Sequence, residues 1–222
     1  MAVSMYGTSY GSYVAPVTSN NHPFNKALYG SDEQCNRVVQ DNCGHFFLYR
    51  DKEEDYRVDG FLFESKQDYM NGCSPIAAVE LEQKKIWPAD LSKSDFGYRF
   101  KTAHFETKKD KYLTVPYVKK DGTQILLPTI WIQCDESCSA FLLISVNEAV
   151  KYPVVSMRCS DRTIVFNESF HDIPLSDCII VPANQLEGAL TAAIQRIRRD
   201  ANFCPSMYIN PFYLPSLDLM NV

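Results

Sequence analysis

The chain has 222 residues, 45% of them hydrophobic, and carries a formal net charge of −5 at neutral pH. This length can bury one large core or two small ones, and the ordinary hydrophobic fraction excludes global disorder. Because the charges are scattered and form no basic stripe, we expect neither sequence-specific nor non-specific binding to nucleic acid.

The sequence also predicts a protein of the cytoplasm. Residues 1–30 lack the apolar core of a signal peptide, and the longest apolar run, Ala140 to Val146, is too short to span a bilayer. We therefore expect no membrane association, and we expect the eight cysteines to be reduced thiols.

Residues 1–30 are rich in Ser, Gly, Tyr and Asn, as in Tyr6-Gly-Thr-Ser-Tyr-Gly-Ser-Tyr13. Two interpretations stay open, a solvated leader and an arm that becomes ordered on a partner, since tyrosines among small residues give contact area at low entropic cost. On the second interpretation residues 1–30 are an N-terminal assembly arm, and in either case we expect residues 31–222 to form a single domain.

About ten short runs of aromatic and aliphatic residues predict strands, separated by charged or glycine-containing turns. They are residues 45–49, 56–63, 76–81, 98–105, 112–118, 124–127, 129–134, 139–146, 154–157, 163–166 and 178–181. No βαβ unit and no internal repeat is present. The pattern predicts a mainly β fold, a sandwich of short antiparallel strands, with a short helix around Ser31 to Gln40.

The clearest local signal is a hairpin between Tyr112 and Leu127. Its turn, Lys119-Lys-Asp-Gly122, places Asp-Gly between two apolar runs, and glycine takes the positive φ that such a turn needs.

Residues 184–201 predict the one strongly amphipathic helix. Its apolar positions recur at steps of three and four, and they are Leu186, Leu190, Ile194, Ile197 and Ala201. Asn184 and Glu187 predict a capping box at the start of the helix. The helix dipole favours cations in the last turn, which contains Arg196, Arg198 and Arg199. Asn202 and Pro205 are predicted to end the helix. The tail 205–222 is apolar, aromatic and rich in proline, so we expect it to pack against its own domain or a neighbouring copy.

The sequence gives little sign of a metal site or of a nucleophile. Cys134-x3-Cys138 has no second pair at zinc spacing, so we expect these cysteines to flank a turn and to bind no metal. Asn42-Cys-Gly-His-Phe-Phe47 resembles the signature of the LRAT and NlpC-like thiol acyltransferases and hydrolases. In a permuted arrangement His104 would be the base for Cys43, and the other interpretation is a turn that leads into a buried strand.

The C-terminal half resembles the polyhedrins of cypoviruses. The resemblance covers Tyr117-Val-Lys-Lys-Asp-Gly122 and the two apolar strands after it, then the Arg-containing helix near the end. It continues through Met207-Tyr-Ile-Asn-Pro-Phe-Tyr-Leu-Pro-Ser-Leu-Asp-Leu-Met-Asn221, which is similar to the closing pattern of that family.

The resemblance implies a structural protein and not an enzyme. It implies trimers that assemble into an intracellular crystal, an occlusion body, which protects virus particles in the infected cell, is stable at neutral pH and dissolves in alkali. No cofactor is required, although some members bind nucleotides. The expected assembly residues are Tyr6, Tyr10, Tyr13, Tyr208, Phe212 and Tyr213. The alternatives are another capsid-like or host-interaction β-sandwich module and, as a minor one, the thiol hydrolase.

Overall fold

A computed structural model of the chain describes residues 35–50, 58–84, 101–135, 137–161 and 164–200, with the backbone alone at residues 84, 158–161 and 164–166. Within these ranges the predicted fold class is confirmed, because strands dominate and an amphipathic helix follows them. The strands are β1 (Phe47–Tyr49), β2 (Gly60–Phe63), β3 (Ala77–Lys84), β4 (Thr102–Glu106), β5 (Thr114–Val118), β6 (Gln124–Asp135), β7 (Ala140–Ser145), β8 (Val154–Asp161), β9 (Ile164–Pro174) and β10 (Ile179–Pro182). The α-helices are α1 (residues 35–42), α2 (Lys66–Met70), α3 (Val146–Ala149) and α4 (Leu186–Arg199). Short 3-10 helices cover Thr107–Tyr112, Leu175–Asp177 and Ala183–Gln185.

The strands form a large and a small sheet. The large sheet has the order β1-β2-β3-β6-β7-β10, with β5 paired to the first half of β6, and the small sheet has the order β4-β9-β8. The prediction of antiparallel strands holds for every described pair except β3 and β6, which run parallel from Ala78↔Thr129 to Lys84↔Asp135. Local strand patterns could not reveal this pair, because a long connection that includes β4 and β5 separates its members.

Both faces of the large sheet are buried, which explains the continuous apolar runs of its central strands. Ile130 and Ile132 of β6 point toward α1 and α4, whereas Trp131 between them points toward the small sheet. There the Phe105 ring meets the Trp131 ring edge to face, with 5.1 Å between the ring centroids. The described chain is thus three layers of helices, large sheet and small sheet.

The predicted hairpin is confirmed as β5 and β6. Gly122 has a φ of 83°, and the Lys119 N–H donates to the carbonyl of Thr123 across the turn. The two strands predicted at 124–127 and 129–134 are one strand, in which Pro128 marks the change from pairing with β5 to pairing with β3 and β7. Proline lacks a backbone N–H, so it fits at such a change of partners.

Helix α4 buries the predicted face, including Leu186, Leu190, Ile194 and Ile197. The predicted capping box is wrong: no side chain caps the helix, because a 3-10 turn precedes it and Glu187 reaches across to His45 instead. The three arginines do occupy the last turn, as expected. Ala201, Asn202 and Pro205 and the tail 205–222 lie outside the described residues, as does the arm 1–30.

Candidate functional site

The six predicted assembly residues, Tyr6, Tyr10, Tyr13, Tyr208, Phe212 and Tyr213, all lie outside the described residues, so their role stays a prediction. The described part of the chain instead offers a surface rich in tyrosine that the sequence analysis did not single out.

Cys43 and His104, the pair proposed for a thiol hydrolase, lie in different layers. Cys43 is fully buried under α4, and its thiol donates to the carbonyl of Phe46 at 2.9 Å. Burial raises the pKa of the Cys43 thiol. His104 lies on β4 of the small sheet, where its Nε2 is 3.1 Å from Asp172. A thiolate nucleophile needs a lowered pKa and an adjacent base, and this geometry supplies neither.

The motif around Cys43 forms a tight turn, which is the second interpretation that its sequence allowed. Gly44 has a φ of 65°, and a Cβ atom there would lie 1.9 Å from the carboxyl carbon of Glu187. Glu187 accepts hydrogen bonds from the backbone N–H and the Nδ1 of His45. The motif therefore joins α1 and β1 to α4.

The tyrosine-rich surface lies where β1, β2, β5 and α2 meet, and we call Tyr49, Tyr69, Tyr112 and Tyr117 the tyrosine face. All four side chains are half-buried and pack on a core cluster that contains Phe61 and Phe63. The rings of Tyr49 and Tyr69 stack with 4.8 Å between their centroids, and the Tyr117 ring contacts Phe61 at 5.0 Å.

Two large apolar side chains stand out from this surface into solvent. Met70 is 63% exposed and Val118 is 57% exposed. Between Met70, Tyr69 and Tyr117 lies a hollow of about 230 Å³ that Gly72 and Lys120 complete. Aromatic residues and methionine are the residue types enriched in protein interfaces, so this surface has the composition of a contact region.

Tyr117 and Tyr152 stay neutral further into alkali than free tyrosine does. Burial and the neighbouring Tyr69 raise the pKa of Tyr117. Burial and, as a smaller contribution, the hydrogen bond to Asp177 raise the pKa of Tyr152 to about 12.

Ionic groups are buried between the sheets. Lys109, from the 3-10 turn after β4, lies 2.9 Å from Glu80 and 3.8 Å from Glu82, and Glu82 also accepts a hydrogen bond from the Trp131 indole at 3.0 Å. Burial lowers the pKa of Lys109, but the charges of Glu80, Glu82 and Glu106 outweigh that effect and hold the pKa well above its usual value. Lysine is therefore a structural cation here and not a base.

Comparison with known proteins identifies no relative: no family model, no curated protein and no solved structure matches the chain. Among the described residues, no helix combines the length and the apolar character needed to cross a membrane.

Proposed function

We propose that this protein is the self-assembling matrix of a crystalline occlusion body that encloses virus particles in the cytoplasm of the infected cell. The observation that carries the proposal is the tyrosine face with the exposed side chains of Met70 and Val118 beside it. The resemblance of the C-terminal half to the polyhedrins of cypoviruses suggests the kind of assembly, trimers packed into a crystal.

The tyrosine face suits contact with a second copy of the chain. Tyrosine has few rotatable bonds, so burying it between copies gives a large contact area at low entropic cost. By its composition, the apolar and aromatic tail, residues 207–221, would supply matching side chains from a neighbouring copy. An apolar contact surface of this kind gains free energy from burial without needing a partner of opposite charge.

Alkali would separate such an assembly by charge. The chain has 13 tyrosines, a residue type that is neutral at neutral pH and in model peptides becomes a phenolate near pH 10, where lysines also begin to lose their charge. An assembly packed through tyrosines then repels itself, because every copy carries the same added charges. Because burial and the neighbouring Tyr69 raise the pKa of Tyr117, we expect this residue to ionise later than a free tyrosine.

The experiment is to express the full chain in insect cells and to look for micrometre-sized intracellular crystals. Purified crystals are then titrated from about pH 7 to about pH 11 while turbidity and near-ultraviolet circular dichroism are followed. We expect crystals that persist at neutral pH and dissolve in alkali. A soluble monomer with no pellet at any pH would overturn the proposal and favour a host-interaction module instead.

A truncated chain tests the role of the N-terminal arm separately. Deletion of residues 1–20 should leave a folded, soluble domain that no longer crystallises in cells. Crystals formed by the truncated chain would contradict the assembly role of Tyr6, Tyr10 and Tyr13, while the matrix function itself would stand.

A further inference from the structure

Two cysteines at the β6–β7 turn and a third from α1, about 100 residues earlier in the chain, converge under the helical layer. The sulphur atoms of Cys35, Cys134 and Cys138 all lie within 4.8 Å of one another. Cys35 Sγ is 3.2 Å from Cys134 Sγ, which is 3.8 Å from Cys138 Sγ. The distances are too long for disulfide bonds of about 2.05 Å, and all three residues are free thiols and are buried.

The turn between β6 and β7 holds two of these thiols in place. Asp135 accepts hydrogen bonds from the backbone N–H groups of Ser139 and Ala140, at 2.6 and 2.8 Å, and from the Ser137 hydroxyl. The Cys138 N–H closes the turn on the Asp135 carbonyl at 2.9 Å. Because the Asp135 carboxylate accepts hydrogen bonds from several residues of the turn, it fixes the relative positions of Cys134 and Cys138 before any ligand binds.

Cys138 has an unusual backbone conformation for its residue type. Its φ is 54°, and it is the only non-glycine among the described residues with a positive φ. Glycine or asparagine normally occupies this left-handed position, because a Cβ atom is crowded there. A cysteine at this position directs its thiol toward Cys134 and Cys35, which is an arrangement that a simple turn does not need.

The separations of the sulphur atoms fit a thiolate metal site. Tetrahedral zinc with metal–sulphur bonds of about 2.3 Å places its sulphur ligands about 3.8 Å apart. The separation of Cys134 Sγ and Cys138 Sγ is 3.8 Å, and Cys35 Sγ, at 3.2 Å from Cys134 Sγ, would move outward by about 0.6 Å on binding. The spacing Cys134-x3-Cys138 also lies within the range used by structural zinc sites. We propose that Cys35, Cys134 and Cys138 bind a thiophilic metal ion of the zinc and copper(I) class, and that this ion ties α1 to the β6–β7 turn.

Groups around the three thiols are suited to this role. The Gln83 side-chain amide donates to Cys138 Sγ at 3.7 Å, and donors of this kind orient metal-bound thiolates from outside the ligand set. On binding, each thiol releases its proton to solvent as its sulphur bonds to the metal, so no oxidant or reductant takes part. Zinc needs a fourth ligand, whereas copper(I) can be bound by the three thiolates alone in a trigonal site. The number of ligands therefore distinguishes the two ions.

The cluster also differs from ordinary buried cysteines of the same chain. Cys43 belongs to the same hydrophobic core, but its thiol bonds to the carbonyl groups of Gln40 and Phe46 and not to other sulphur atoms. Free cysteine commonly packs in cores as a small apolar residue, and Cys43 is an example. It therefore provides the matched control for the three ligands.

The test uses the full chain, purified under reducing conditions and stripped with a chelator. Zinc and, separately, copper(I) are titrated, metal content is measured by elemental mass spectrometry, and cobalt is used to report tetrahedral thiolate ligation by its absorption. We expect about one ion per chain with a dissociation constant below about 1 µM. Cobalt absorption of the tetrahedral type identifies the zinc-like site, and stoichiometric copper(I) binding without it identifies the trigonal one.

Two variants separate ligation from packing. Cys138→Gly suits the positive φ, so the variant should remain folded by circular dichroism, yet it should bind the metal at least about 100-fold more weakly. Cys43→Ser should keep full metal affinity. Unchanged affinity in Cys138→Gly, equal loss in Cys43→Ser, or a wild-type chain that binds no metal would overturn the proposal. This site is independent of the proposed assembly, so either can fail alone.

Discussion

The ammonium group of Lys109 lies 2.9 Å from Oε1 of Glu80 where the turn after β4 meets the large sheet. The Lys109 side chain is 11% exposed, and Glu82 beside it is 4% exposed. Replacing the lysine would leave buried carboxylates without their cation, which costs far more than the ion pair itself contributes.

We therefore predict that Lys109→Met lowers the free energy of unfolding by about 3 kcal/mol or more. Urea unfolding at neutral pH measures the free energy of unfolding of the variant and of the parent chain. Lys111→Met, an exposed change in the same turn, is the control and should stay within about 0.5 kcal/mol of the parent chain. Equal effects of the two changes would show that Lys109 does not compensate the glutamates.

The pH dependence of this contribution has a definite sign. The pKa of Lys109 is held above its usual value in the folded state, so the ion pair stabilises fully below the unfolded pKa of about 10.4 and is lost as the pH rises beyond it. The domain should therefore remain folded while assemblies dissolve near pH 10. Loss of near-ultraviolet circular dichroism before loss of turbidity would contradict this order.

Tyr152 gives a second alkaline prediction. Its hydroxyl donates to Asp177 at 2.7 Å, and its pKa is raised to about 12, so its contribution to stability is complete below about pH 10 and is lost between about pH 10 and 12. Between about pH 10 and 12, the free energy of unfolding of Tyr152→Phe should therefore fall less steeply with pH than that of the parent chain. The difference in slope should be about 0.5 kcal/mol per pH unit, after allowance for solvent screening.

The measurement for Tyr152 is urea unfolding at several values between about pH 9 and 12. Ser176→Ala is the control, because it removes another hydrogen bond to Asp177 without removing a titrating group. An identical slope in Tyr152→Phe and in the parent chain would count against the raised pKa.

The sequence predicted those features that depend on local patterns. The hairpin turn at Gly122 and the apolar face of α4 follow from nearby residues, and the structure has both. Pairings between strands that are distant in the chain could not be predicted, because no residue near Ala78 or Thr129 indicates that β3 and β6 run parallel. Glu187 shows the same limit: a local capping box was expected, but the side chain bonds to His45, 142 residues away.

The candidate sites follow the same rule. Cys134 and Cys138 were visible as a spaced pair, but Cys35 joins them only through the packing of α1 on β6. The tyrosine face was missed because Tyr49, Tyr69 and Tyr117 come from three separate elements, and no spacing in the sequence connects them.

Thiol reactivity tests the hydrolase alternative. Cys73 is exposed, whereas Cys43 is buried with a raised pKa, so an alkylating reagent at neutral pH should modify Cys73 at least about 100-fold faster. Mass spectrometry of digested samples gives both rates, and unfolding in urea should make them equal. Rapid labelling of native Cys43 would revive the interpretation of that residue as a nucleophile.

The exposed apolar side chains beside the tyrosine face give the sharpest test of assembly. A contact between copies would bury Met70 and Val118, so the double change Met70→Glu and Val118→Glu should abolish crystals by placing charges in an apolar contact. Because both side chains are already exposed, unfolding free energy should change by no more than about 0.5 kcal/mol per site. Val154→Glu is the matched control, since Val154 is 56% exposed but lies on β8 of the small sheet. If the double variant forms crystals of unchanged size and yield, this surface is not the contact between copies. If only Val154→Glu abolishes crystals, the contact lies on the small sheet instead.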